Sequence, residues 1–194
     1  MRYAVLLALT MAGLFGLAPG SHVEAQSGWT TLFDGTSLKG WNRIGDANWE
    51  IADGAVQATK GGASFLVTPD SYADFQLTLE IWASDDANSG VFIRCQDPKN
   101  IAATNAYEVN VYDKRPDPAY RTGAIVDVAK PMVNINAGGR WNTFDITARG
   151  SKLTVIMNGQ KTVEVDHKAY ARGPIALQYG AGTVRFRNVR IRTL

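Results

Sequence analysis

The residues best suited to chemistry sit at alternating positions in four short segments. Glu80 and Trp82 alternate with Leu79 and Ile81, and Phe92 and Arg94 alternate with Val91, Ile93 and Cys95. Glu108, Asn110 and Tyr112 alternate with Tyr107, Val109 and Val111, and Gln178 stands between Leu177 and Tyr179. In a strand, successive side chains point to opposite faces, so each segment offers one apolar face and one face of functional groups. If the four strands are neighbours, the functional faces pool two carboxylates, a guanidinium, two amides and three aromatics. Aromatic rings take the apolar face of a pyranose, planar polar groups pair with hydroxyls, and a carboxylate can move a proton. If the strands are not neighbours, the same residues describe a solvated face with an incidental Glu–Arg ion pair.

Other constellations are weaker. His22 falls in a segment expected to be removed, which leaves His167 as the one histidine after it, against a Ser-His-Asp triad or a His-rich zinc site. No metal site and no cofactor are expected. Asp85, Asp86 and Asn88 match no calcium-loop spacing and read as a turn. Glu80 is followed by Ile81 and Trp82, so the Glu-x-acid-x-Glu strand of retaining glucanases is absent. Cys95 reads as a small buried hydrophobe. Arg185, Arg187, Arg190 and Arg192 read as a solvated outer face, and the parity change near Asn188 suggests a bulge.

The elements that must carry these residues are strands. Period-two runs cover Phe75 to Trp82, Val91 to Cys95, Tyr107 to Tyr112 and Ile175 to Tyr179. Leu153 to Met157 and Gln160 to Val165 flank Asn158-Gly159, a strong hairpin signal. Arg149 to Lys152 is a turn leading out of a strand over Trp141 to Ala148. After residue 26 no capped apolar 3.6-residue period of ten residues occurs. The expectation is an all-β sandwich or barrel of about a dozen strands. Tyr112 to Tyr120 and Lys130 to Arg140 are polar or irregular loops within one core, with no domain boundary.

The chain has 194 residues, 45% of them hydrophobic and 20% charged, proportions that exclude a disordered chain. A net charge of +2 argues against a nucleic-acid partner. Arg2, the apolar run from Ala4 to Leu17, and Val23-Glu24-Ala25 have the layout of a secretory signal peptide, with cleavage expected after Ala25. The expected protein is a single domain over 26–194, secreted or periplasmic and not membrane-bound after cleavage.

The ordered motifs together resemble one family. Phe33-Asp34-Gly35, Gly40-Trp41, Trp49 and Asp53-Gly54 open it, and Tyr72-Ala73-Asp74-Phe75 leads into the Glu80 strand. Asn88-Ser89-Gly90-Val91-Phe92-Ile93-Arg94, Tyr107-Glu108-Val109, Thr122-Gly123-Ala124, Trp141-Asn142 and Asn158-Gly159 follow. Gly173-Pro174-Ile175-Ala176-Leu177-Gln178 and Phe186-Arg187-Asn188-Val189-Arg190-Ile191 close it. From about Trp29 onward the chain resembles the 3-keto-disaccharide hydrolase domain family. Two positions depart: Asn110 stands where the family usually has Gln, and Tyr179-Gly180 where it often has His before Gly.

The resemblance implies a concanavalin A-like jelly-roll sandwich and a small carbohydrate substrate, a glycoside oxidised at C3. The chemistry of such a substrate and the shared outward parity of these residues lead to Glu108 as base and Glu80 as acid or orienting group, with Arg94 at the keto oxygen. Gln178 and Asn110 would hold hydroxyls, and Trp82, Tyr112 and Phe92 would form the aromatic surface. A secreted lectin-like module without catalysis is the alternative.

Overall fold

The computed structural model describes residues 28–194; the expected signal peptide lies outside the described residues. Among the described residues thirteen strands form two antiparallel sheets, and one short 3-10 turn (Pro118–Tyr120) lies between the strands Tyr107–Val111 and Trp141–Arg149. The larger sheet contains β1 (Thr30–Phe33), β3 (Glu50–Ala52), β4 (Ala55–Ala58), β6 (Phe75–Ala83), β9 (Trp141–Arg149), β10 (Lys152–Met157), β11 (Gln160–Asp166) and β13 (Val184–Thr193). Its order is β11-β10-β9-β6-β13-β4-β3, with β1 also paired to β13. The smaller sheet, in the order β2-β5-β12-β7-β8, uses β2 (Asn42–Ile44), β5 (Ser64–Val67), β7 (Asn88–Ile93), β8 (Tyr107–Val111) and β12 (Ala176–Ala181).

The period of two determines what the sheets bury. Phe75, Leu77, Leu79 and Ile81 of β6 point inward from the larger sheet, as do Phe144, Ile146 and Ala148 of β9. Val91, Tyr107, Val109, Leu177 and Tyr179 meet them from the smaller sheet. The Asn158-Gly159 turn has φ of 51° and 77°, the paired positive values of a type I′ hairpin that suits the twist of β10 and β11. The β13 bulge is real: its register against β6 shifts between Arg187 and Arg190, with Asn188 at φ 54°. It moves the inward set from Val184 and Phe186 to Val189 and Ile191.

Arg94 ties the sheets together. β7 ends at Ile93, and Arg94 takes a left-handed φ of 54°, so its side chain leaves the alternation of the strand. Its guanidinium is 1% exposed. Nε and Nη2 donate to the Ala73 carbonyl at 3.0 and 2.6 Å, and Nη1 donates to the Gly150 and Tyr170 carbonyls at 2.8 and 3.0 Å. Asp74 lies 3.3 Å from Nη2 and also accepts from the Gly150 amide. One side chain thus joins the end of β7 to the start of β6, the β9–β10 turn and the segment before β12. The expectation that Arg94 faces a ligand is therefore corrected: the φ reversal turns it into the molecule, where backbone carbonyls occupy its donors.

Replacing Arg94 with Ala takes the side-chain donor from the carbonyls of Ala73, Gly150 and Tyr170 and leaves a space where the buried guanidinium lay. The expected loss is about 3 kcal/mol, from the unmet hydrogen bonds and the cavity together. Urea unfolding of Arg94→Ala against the native chain measures it, and an unchanged midpoint would remove the clamp from the account.

Candidate functional site

The site lies on the outer face of the smaller sheet. The register sets Gln178, Gly90 and Asn110 side by side in one row, and Ala176, Phe92 and Glu108 in the next. Gly90 leaves the middle of the first row without a side chain. A Cβ there would lie 3.4 Å from both Gln178 Oε1 and Glu108 Cγ, and 3.1 Å from the Val109 carbonyl oxygen. Glu108 and Gln178 thus lean toward one another over the glycine, from strands that flank β7 on either side. A strand glycine often marks such a close approach.

Glu108 is 7% exposed. Burial pushes its carboxyl up to about 7; Arg115 pulls against that shift and Asp127 adds to it. Among the described residues no protein donor bonds its carboxylate, so nothing repays the loss of hydration when it ionises. Its surroundings explain the burial. The segment Gly123 to Val126 runs along β8, with the Val126 amide donating to the Glu108 carbonyl and the Asn110 amide to the Ala124 carbonyl. Phe92, the cross-strand neighbour of Glu108, packs edge-on against Phe65 with ring centres 5.3 Å apart. Val67, Cys95, Ile101, Ala106 and Ala176 complete this apolar cluster. A carboxyl that titrates near neutrality can hold or give up a proton under ordinary conditions, as a general acid or base requires.

Gln178 is half-buried, and its Oε1 is buried without a hydrogen-bond partner. Asn110 is fully buried: Nδ2 donates to the Tyr120 carbonyl at 2.5 Å, and Oδ1 has no partner. Parity predicts Glu108, Gln178 and Asn110 on one face, and the register sets them in two adjacent rows. Phe92 and Asn110 are corrected from ligand-facing groups to buried walls, since the apolar cluster covers one and the Tyr120 loop holds the other. Tyr112 follows the last residue of β8 and is half-buried.

Glu80 and Trp82 do not join this site. They project from the outer face of the larger sheet, because β6 pairs with β9 and β13. Glu80 accepts from Arg187 Nε and Nη2 at 2.7 and 2.5 Å and from Asn188 Nδ2 at 2.6 Å. Partial burial opposes its charge, but Asn188 and Arg187 outweigh it and hold the carboxyl below the usual range. It lies in a groove of about 570 Å³ with Thr78, Thr143 and Arg190. Trp82 pairs with Trp141, and Arg187 sits over the Trp141 ring at 3.9 Å. The expectation that Glu80 and Trp82 share a site with Glu108 is corrected for this reason: parity gives the face of a strand, not the sheet that it joins.

Sequence reasoning missed Gly90, whose role shows only once β8 and β12 are known to flank β7. His167 is structural: Nδ1 lies 3.1 Å from the Tyr107 hydroxyl, which donates to the His167 carbonyl. Cys95 is buried, and burial pushes its thiol up to about 12. Asp86 accepts from Ser84 in a turn at 2.5 Å. Among the described residues no group of three or more His, Cys, Asp or Glu is placed to hold a metal.

Residues 28–192 match the model of the 3-keto-alpha-glucoside-1,2-lyase-like domain. The chain belongs to that family. It is 29% identical over 170 residues to a Bacteroides thetaiotaomicron protein named 3-keto-disaccharide hydrolase, covering 71% of this chain. The chain spans 58% of that relative's length. A crystal structure from Parabacteroides distasonis, titled as a candidate glycosyl hydrolase, superposes with a TM-score of 0.71 at 27% identity, over 86% of this chain and 99% of the other. A Bacillus subtilis carbohydrate-binding module, CBM66, shares the fold with a TM-score of 0.63 at 19% identity, over 78% of this chain and 94% of the module. The family and these relatives are carbohydrate-active by name, and the expected jelly-roll sandwich is the fold observed.

The buried carboxyl predicts a pH-dependent stability. Glu108 binds a proton more tightly folded than unfolded, so it favours the fold below about pH 4.5 and loses that contribution as the pH rises through about 7. The native chain is expected to lose roughly 3 kcal/mol between pH 5 and pH 8 relative to Glu108→Gln. Thermal melts of both proteins across that range test it, and parallel curves would contradict it.

Proposed function

We propose that the domain cleaves 3-keto-glycosides by proton abstraction, elimination and hydration, with Glu108 as the base. The observation that carries this reading is Glu108, whose carboxylate has no protein donor among the described residues, which borders the gap over Gly90 with Gln178 and titrates near neutrality.

A ketone at C3 acidifies the hydrogen on C2. Ionised Glu108 takes that proton, and the C2–H electron pair forms the enolate. The enolate re-forms the C3 carbonyl, makes a C1–C2 double bond and breaks the bond from C1 to the glycosidic oxygen. Protonated Glu108 can return its proton to the departing oxygen, so one carboxyl serves both steps. Addition of water across C1 and C2 yields the free 3-keto sugar. Gln178 is the amide that contacts the ring. No second carboxylate at glycosidase spacing is required, which fits the placement of Glu80 in the other sheet.

With 3-keto-sucrose or 3-keto-trehalose, the purified chain is expected to release free sugar, at a rate that rises as the pH passes through about 7 and Glu108 ionises. Glu108→Gln should lower turnover by about two to four orders of magnitude. Glu80→Gln should leave it within a factor of about two, because Glu80 bonds Arg187 and Asn188 on the far sheet. A pH-independent rate or an active Glu108→Gln would rule out this mechanism. The CBM66-like fold supports a second reading, a lectin-like module, and saturable binding of unoxidised glycans without turnover would favour it. We also propose that residues 1–25 direct export, in which case N-terminal sequencing of the exported protein should begin at Gln26.

A further inference from the structure

We infer that Gln178 is a positioning residue whose amide oxygen holds the carboxylic proton of Glu108 across Gly90. One buried acceptor here lacks a donor, and the neighbouring carboxyl of Glu108, when it holds a proton, can supply one. Gln178 Oε1 is an acceptor shut off from solvent with nothing donating to it. Such an atom is costly in a folded protein unless a donor reaches it. Oε1 and Glu108 Cγ each lie 3.4 Å from the place a Cβ on Gly90 would take, so the two side chains border one gap. In its neutral form a carboxylic acid carries one O–H donor, the group the amide oxygen lacks.

The groups around the pair agree with this assignment. Gly90 on β7 contributes no side chain, and Phe92 beside it is apolar. Arg115, on the loop after β8, and Asp127, after the segment that pairs with β8, are the charges that act on Glu108, and they act in opposite directions. The second unpartnered acceptor in the row is Asn110 Oδ1. It is fixed as an oxygen because Nδ2 is committed to Tyr120. One proton cannot serve both acceptors, and the shared approach to Gly90 assigns it to Gln178.

The consequence deepens the proposed function and rests on it: the base waits as an acid, and ionisation also frees the Gln178 amide for a sugar hydroxyl. The proton contact itself needs no substrate, so it stands or falls apart from turnover.

The test is a side-chain carbon-13 and nitrogen-15 NMR titration of the whole chain from pH 5 to pH 9 without substrate. The Gln178 amide signals are expected to move with the same midpoint as the Glu108 carboxyl and to stay still in Glu108→Gln. A second variant, Gln178→Glu, places two carboxyls around one proton, and their midpoints should separate by about 2 pH units or more. Gln178 signals that do not respond, a response carried by Asn110 instead, or two closely spaced midpoints in Gln178→Glu would overturn the inference. Failure to cleave 3-keto-sucrose while the Gln178 signals titrate would instead reject the catalytic reading and leave the proton contact in place.

Discussion

The two faces of a strand point in opposite directions, and that constraint governs the whole molecule. The inner faces are used up in joining the two sheets, so functional side chains must occupy the outer faces, which point in opposite directions. A chemical group is therefore defined first by the sheet that carries it. Glu108 and Gln178 belong together because β8 and β12 both flank β7. Glu80 has the same alternation and a similar side chain, yet it lies on the far side because β6 pairs with β9 and β13.

This division also marks what the sequence could convey. Alternation in Phe75 to Ala83, Tyr107 to Val111 and Ala176 to Ala181 is written in single segments, and strand identity and facing followed from it correctly. The Asn158-Gly159 hairpin and the Asn188 bulge were legible for the same reason, since each is local. Strand order depends on pairings between distant segments, such as Tyr179 with Ser89, and carries no local signature. Arg94 shows a different limit. Its parity is outward, and only the positive φ, which the preceding alternation does not announce, sends it inward.

The two prominent glutamates show how surroundings assign roles to one side-chain type. Glu80 has donors on both oxygens and keeps its charge. Glu108 has apolar walls, no protein donor among the described residues and a weakened hold on its charge. The first arrangement stabilises the β13 bulge; the second favours the fold only while the carboxyl holds its proton.

The segment from Gly123 to Val126 does more than wall in Glu108. β8 is the last strand of its sheet, and an uncovered last strand exposes amides and carbonyls to which a foreign strand can add. Here the amides of Gly123 and Val126 and the carbonyl of Ala124 bond that border from outside. The opposite border, β2, is only three residues long. In the larger sheet β11 is terminal and carries Lys161 and Glu164 as an exposed ion pair at 2.8 Å. A short border, a covered one and a charged one all discourage end-to-end growth into fibrils, so the loop that shapes the candidate site also guards the domain against aggregation.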